Sequence, residues 1–151
     1  MSSLWPFGSR RPQGSAASPP TLLVADEDPR LRGLLEGYLC ELGYPTLSVG
    51  DGTAVIRLLT RGRLLHRGDA GHIDAVVADV EIAGRSGIDI LRAVRANHWD
   101  IPVVLTSSFL PPRLRAEAER LGAAAILDKP LSLPQLRRAL AGLGAPARAA
   151  V

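Results

Sequence analysis

The sequence predicts an α/β fold, a doubly wound parallel sheet of five strands, on three observations. Five short, nearly all-apolar runs recur along the chain, each about as long as a strand. The segments between and after them carry apolar residues at helical spacing. Acids, hydroxyls and the single lysine gather just past the ends of the runs. Strands buried on both faces read as continuous apolar runs, and parallel strands need right-handed crossovers whose helices cover both faces.

The runs and helices follow one another in order. TLLVA (21–25) is the first strand; then Leu31, Leu34, Leu35, Tyr38, Leu39 and Leu42 share one face of a helix from Pro29 to Leu42, which Gly43 ends. TLSV (46–49) is the second strand, and Asp51 is placed to cap the helix carrying Val55, Ile56, Leu58 and Leu59. TRGRLLHRGDAGHID reads as a helix extension and a surface loop, with His66 and His72 solvated for want of a third ligand. AVVA (75–78) precedes a helix from Ser86 to Ala96 with Ile88, Leu91 and Val94 on one face. PVVLT (102–106) precedes a helix from Pro111 to Leu121, opened by proline and closed before Gly122. AAAIL (123–127) is the fifth strand, and Leu133, Leu136, Leu140 and Leu143 mark the last helix.

The chain has 151 residues and a formal net charge of +3. All 15 acids lie in 21–143, and so do 15 of the 18 lysines and arginines, leaving the surplus to Arg10, Arg11 and Arg148. A neutral core argues against direct nucleic-acid binding, which favours a clustered basic face. Cys40 is the single cysteine, which excludes internal disulfides and suits a reducing cytoplasm. No apolar run approaches the roughly 20 residues of a membrane span. Residues 1–20 carry no acid and are rich in Ser, Pro and Gly, with Pro6 and Gly8 interrupting any signal-peptide core. They are expected to form a disordered leader, and 144–151 a short tail with no output domain after it.

The polar residues at the strand ends define the chemistry. Asp26, Glu27 and Asp28 follow the first strand, Asp79 the third, Thr106 and Ser107 the fourth, and Lys129 the fifth. All fall at the carboxyl edge, where open α/β sheets bind ligands. Clustered carboxylates call for a cation, and hard oxygen ligands beside a phosphate suit Mg²⁺. A carboxylate there can also act as a nucleophile toward phosphorus. A lysine is a compact point charge where an arginine is a wide fork. In a chain with no other lysine, Lys129 therefore points to a site that must place an ammonium against a small tetrahedral anion.

Four stretches, LLVADEDPRLRGLL, DAVVADVEIAGRSGIDIL, IPVVLTSS and GAAAILDKPLSLPQL, occur in order. Together they resemble the receiver domain of two-component response regulators, over residues 21–143. The resemblance implies a flavodoxin-like receiver fold with strand order 2-1-3-4-5. It makes Asp79 the phospho-accepting aspartate, Thr106 the switch hydroxyl and Lys129 the partner of the phosphoryl group, with a Lys129–Pro130 peptide that is commonly cis. It assigns Mg²⁺ to Asp26, Glu27, Asp79 and the backbone carbonyl of Glu81, Glu27 touching the metal directly and Asp26 through water. A histidine kinase or histidine phosphotransfer protein would supply the phosphate, and a downstream protein would read the result. Such a cytoplasmic, stand-alone receiver is not an enzyme beyond phosphorylating and dephosphorylating its own Asp79.

Three positions depart from that pattern. Glu27 replaces the commoner aspartate, Ala83-Gly84 stands where Pro-Gly is usual, and Ile126 occupies the place of a switch Tyr or Phe. A short β-branched side chain has little to gain by moving inward. Activation is therefore expected to move Thr106 to Leu110 and the start of the helix at Pro111, with little change at Ile126. A phosphorylation-independent binding module of the same fold is one alternative. The other is a haloacid dehalogenase-type Mg²⁺ phosphohydrolase, which Asp26 and Asp28 imitate. Against the latter, Arg30 does not fit its opening motif and Asp79 would have no role.

Overall fold

Buried strands dictate where everything else sits, and the computed structural model shows how, describing residues 19–66 and 69–143. The expected leader falls outside the described residues except for Pro19 and Pro20, as does the expected tail. Strands β1 (Leu22–Ala25), β2 (Thr46–Val49), β3 (Ala75–Asp79), β4 (Val103–Ser107) and β5 (Ala125–Asp128) form one parallel sheet in the order β2-β1-β3-β4-β5. The helices are α1 (Pro29–Glu41), α2 (Gly52–Gly62), α3 (Gly87–Ala96), α4 (Pro112–Arg120) and α5 (Leu133–Leu140), the last followed by a 3₁₀ turn over Ala141–Leu143.

Alternation along the strands divides the core in two. Leu22 and Val24 face a cluster with Leu35 and Leu39 of α1 and Leu136 and Leu140 of α5. Leu23 and Ala25 face the other, with Val55 and Leu59 of α2, Leu91 and Val94 of α3, and Ala118 of α4. Each fully buried leucine stabilises the fold by about 1.5–3 kcal/mol, so neither side of the sheet could lose its helices.

Helix starts are set by side-chain caps. Asp28 accepts from Arg30 N–H before α1, and Asp51 from Thr53 and Ala54 N–H before α2. Ser86 and Asp89 form a reciprocal capping box at α3. The expected helix from Ser86 thus begins one residue later, because Ser86 spends its side chain as the cap. Helix α4 follows Pro111 without any side-chain cap. Two arginines of α3 hold α4 instead. Arg92 bonds Glu117, with Nε–Oε1 at 2.8 Å, while Arg95 donates to the carbonyls of Leu121 (2.7 Å) and Gly122 (3.0 Å) just past its C-terminal end.

Strand limits shift slightly. The fifth strand starts at Ala125 rather than 123, and Asp79 and Ser107 are the last residues of their strands. One histidine also differs from expectation. His66 is exposed, but the His72 side chain is only 15% exposed, with Nε2 3.6 Å from Asp74 Oδ1, because Gly71 and His72 lie against Gly62 at the end of α2. Among the described residues, no helix is long and apolar enough to cross a membrane.

Candidate functional site

Register brings the strand-end residues level. Ala25 pairs with Ala78 and Asp79 with Thr106, so Asp26 and Asp79 emerge side by side from the middle of the sheet. Ser107 pairs with Asp128, which places Lys129 one step beyond the edge, its N–H donating to Ser107 O at 2.8 Å. The Lys129–Pro130 peptide is cis.

Asp26, Asp79 and Thr106 are buried, at 3%, 4% and 2% exposure. Lys129 Nζ lies 2.8 Å from Asp26 Oδ2 and 2.7 Å from Asp79 Oδ2, so one ammonium is shared between two carboxylates. Their other oxygens accept backbone N–H groups two residues on, Asp26 Oδ1 from Asp28 (2.8 Å) and Asp79 Oδ1 from Glu81 (3.0 Å). Burial alone would pull the Lys129 ammonium down. The hydrogen bonds to Asp26 and Asp79, with their charge, outweigh it and hold the group above the ordinary lysine value.

The remaining candidates stand around this pair. Glu27 is exposed, immediately after Asp26. Ile126 is partly buried against the α3-side core. Among the described residues, no group of three His, Cys, Asp or Glu side chains is placed to hold a metal ion. The two buried carboxylates nevertheless fit Mg²⁺, which needs only one or two of them and keeps several waters. Their Oδ2 atoms both meet the Lys129 ammonium, and two carboxylates against one ammonium leave a net negative charge there.

Several contacts were not foreseen from the sequence. Arg32 in α1 donates from Nη1 to Asp26 O at 2.7 Å and lies against Gly50, where a Cβ would sit 2.7 Å from the same nitrogen. Ser107 Oγ donates to Glu81 Oε1 at 3.0 Å and accepts from Phe109 N–H at 3.1 Å. Gly52 donates its N–H to Ala83 O at 2.9 Å, seating the β3–α3 loop on the start of α2. A glycine directly after an N-cap aspartate was the available signal for Gly52. For the arginine and the serine contact there was none, because both depend on which loops meet.

Comparison with known proteins places these features. The family described as response regulator receiver domain matches residues 22–141. Protein PetR of Rhodobacter capsulatus is 31% identical over 121 residues, 80% of this chain but 47% of that protein, so the chain spans about half its length. Sporulation initiation phosphotransferase F of Bacillus subtilis is 25% identical over 119 residues, covering 79% of this chain and 89% of that one. The crystal structure of a response regulator receiver protein from Pseudomonas putida superposes with a TM-score of 0.70 at 25% identity, covering 83% and 98% of the two chains.

Proposed function

The chain belongs to the response regulator receiver family, and on that premise we propose that Asp79 accepts a phosphoryl group from a histidine kinase or histidine phosphotransfer protein and so alters the binding of a downstream protein. Receivers are phospho-accepting switches of two-component signalling rather than enzymes with a separate substrate. The observation carrying the assignment to Asp79 is its carboxylate, buried at the strand end, level with Thr106 and paired with the only lysine.

The transfer breaks the P–N bond of a phosphohistidine and forms a P–O bond to an Asp79 oxygen, the imidazole leaving with the electron pair. Phosphoryl transfer asks mainly for positioning and charge neutralisation. Lys129 neutralises one phosphoryl oxygen, and Thr106, paired with Asp79 across the two strands, would offer its hydroxyl to another. Asp26, Asp79, Glu27 and the Glu81 carbonyl would hold Mg²⁺, which supplies further neutralisation of phosphoryl charge when bound. The dehalogenase-type alternative gives no part to Asp79 and belongs to another family. A cytoplasmic site of action belongs to the same proposal.

Incubation with acetyl phosphate or phosphoramidate and Mg²⁺ should add one phosphate by intact mass, and Asp79→Asn should add none. Equal modification in the variant would move the nucleophile, Asp26 being the next carboxylate to replace. No addition in either protein would favour a binding module that works without phosphate, the reading to which Ile126 points. Glu27→Gln should weaken Mg²⁺ about tenfold, as loss of a supporting ligand commonly does. Calorimetric titration checks this, and equal affinity would take Glu27 out of the metal's surroundings.

A further inference from the structure

Phosphoryl transfer uses the backbone of Glu81 but leaves its side chain without a task. Ser107 is 0% exposed, yet its Oγ serves two partners, donating to Glu81 Oε1 and accepting from Phe109 N–H. The first contact ties the end of β4 to the loop that leaves β3. The second fixes the turn that begins the β4–α4 loop. That loop presents Phe109, 72% exposed, beside Leu110, which is 6% exposed and anchored in the core. Glu81 is also joined to the acceptor itself, since its N–H donates to Asp79 Oδ1.

We propose that the Glu81 carboxylate is a positioning residue that latches the β4–α4 loop through Ser107 while Asp79 is unmodified. Phosphorylation of Asp79 then repels Glu81 from Ser107, so that the unheld Ser107 hydroxyl turns and drops the Phe109 N–H, with Phe109 as the exposed group that moves. This rests on Asp79 being the phosphorylation site. A phosphoryl group brings a charge of about −1.5 to −2 near neutral pH. It arrives two residues from a carboxylate held by a hydrogen bond to a neutral hydroxyl. A bond to a charged group is stronger than a neutral one but still of modest net worth, so a like charge of nearly two units placed beside it opposes it directly. The device gives the loop an aromatic readout that does not require one at position 126.

The test follows Phe109 amide exchange by NMR and phosphate occupancy by intact mass, comparing proteins at matched occupancy. In wild type, phosphorylation should speed Phe109 exchange about five- to tenfold, the scale of one lost hydrogen bond. Ser107→Ala should show the same acceleration with no phosphate at all. Glu81→Gln keeps an acceptor for Ser107 but loses the charge, so its unmodified form should be as protected as wild type and its phosphorylated form should stay protected. Acceleration in phosphorylated Glu81→Gln equal to that of wild type would overturn the trigger. Unchanged protection in Ser107→Ala would overturn the latch. Absence of phosphate on wild type would overturn the reading of Asp79 and the trigger with it, while Ser107→Ala still judges the latch by itself.

Discussion

Replacing Lys129 with methionine should destabilise the protein by about 3 kcal/mol at neutral pH, the lower end of the range for breaking a buried ion pair. The lower end applies because the lysine side chain remains 18% exposed while its two partners are 4% and 5% exposed. Without the ammonium, two buried carboxylates face each other unpaired. The melting temperature should fall by roughly 10 °C, and millimolar Mg²⁺ should restore much of the loss by supplying the missing charge. Adding Asp26→Asn to Lys129→Met should also recover stability, a non-additivity that reports direct contact.

The pH dependence has a definite sign. Because the folded-state value of Lys129 is raised, its contribution is complete below the unfolded-state value and fades only as pH climbs through the folded one. The difference between wild type and methionine variant should therefore stay flat from neutral into mildly alkaline solution. Lys129→Arg keeps the charge and most of the stability but should lose most of the phosphorylation-driven response, since the wider guanidinium cannot take the ammonium's place. A full response from the arginine protein would mean that the single lysine has no special fit.

Gly52→Ala should cost about 3 kcal/mol, at the upper end for overpacking. A Cβ there would lie 1.8 Å from Arg85 O, 2.7 Å from Arg85 C and 3.0 Å from Arg85 Cα. Those are backbone atoms, so no rotamer change relieves the clash, and either α2 or the β3–α3 loop must move. That loop carries Glu81, so phosphorylation of Asp79 should slow about tenfold, roughly the effect of a small misplacement in a positioned site. Gly37→Ala is the internal control. Nothing lies within 4 Å of its added Cβ, and in mid-helix the change should stabilise by about 0.5–1 kcal/mol. Equal melting temperatures for wild type and Gly52→Ala would show that the loop yields without cost.

These two residues show what could and could not be read along the chain. Lys129 was legible because composition isolates it and an apolar run ends two residues before it. The runs of β1, β3 and β4 were equally plain, since a strand covered on both faces has no room for alternation, whereas the edge strands β2 and β5 are only partly covered and Leu47 is exposed. Gly52 was not legible as a packing residue, because its neighbour in space is Arg85, on a loop one crossover away. The same holds for Ser107 and Glu81, two strand-end polar residues whose contact depends on the relative reach of two loops. His72 misled for the opposite reason: a histidine among glycines and acids suggests water, and only the fold of the loop encloses it.

The arginines of α3 set how α4 can respond mechanically. Arg92 grips it at mid-length through Glu117, and Arg95 holds the carbonyls at its far end. Its first turn, by contrast, begins at a proline with no side-chain cap, directly after the loop from Ser107 to Leu110, and is tied to the end of β5 by the exposed pair of Arg115 Nη2 and Asp128 Oδ1 at 3.2 Å. Such a helix is a cantilever with its fulcrum near Leu121. A push delivered at Pro111 cannot slide the helix along its axis without breaking both grips, so it swings the less firmly held end against the exposed Arg115–Asp128 pair beside β5. The displacement shrinks with distance from Pro111, and a partner seated over the first turn of α4 would sense far more of it than one seated over the last.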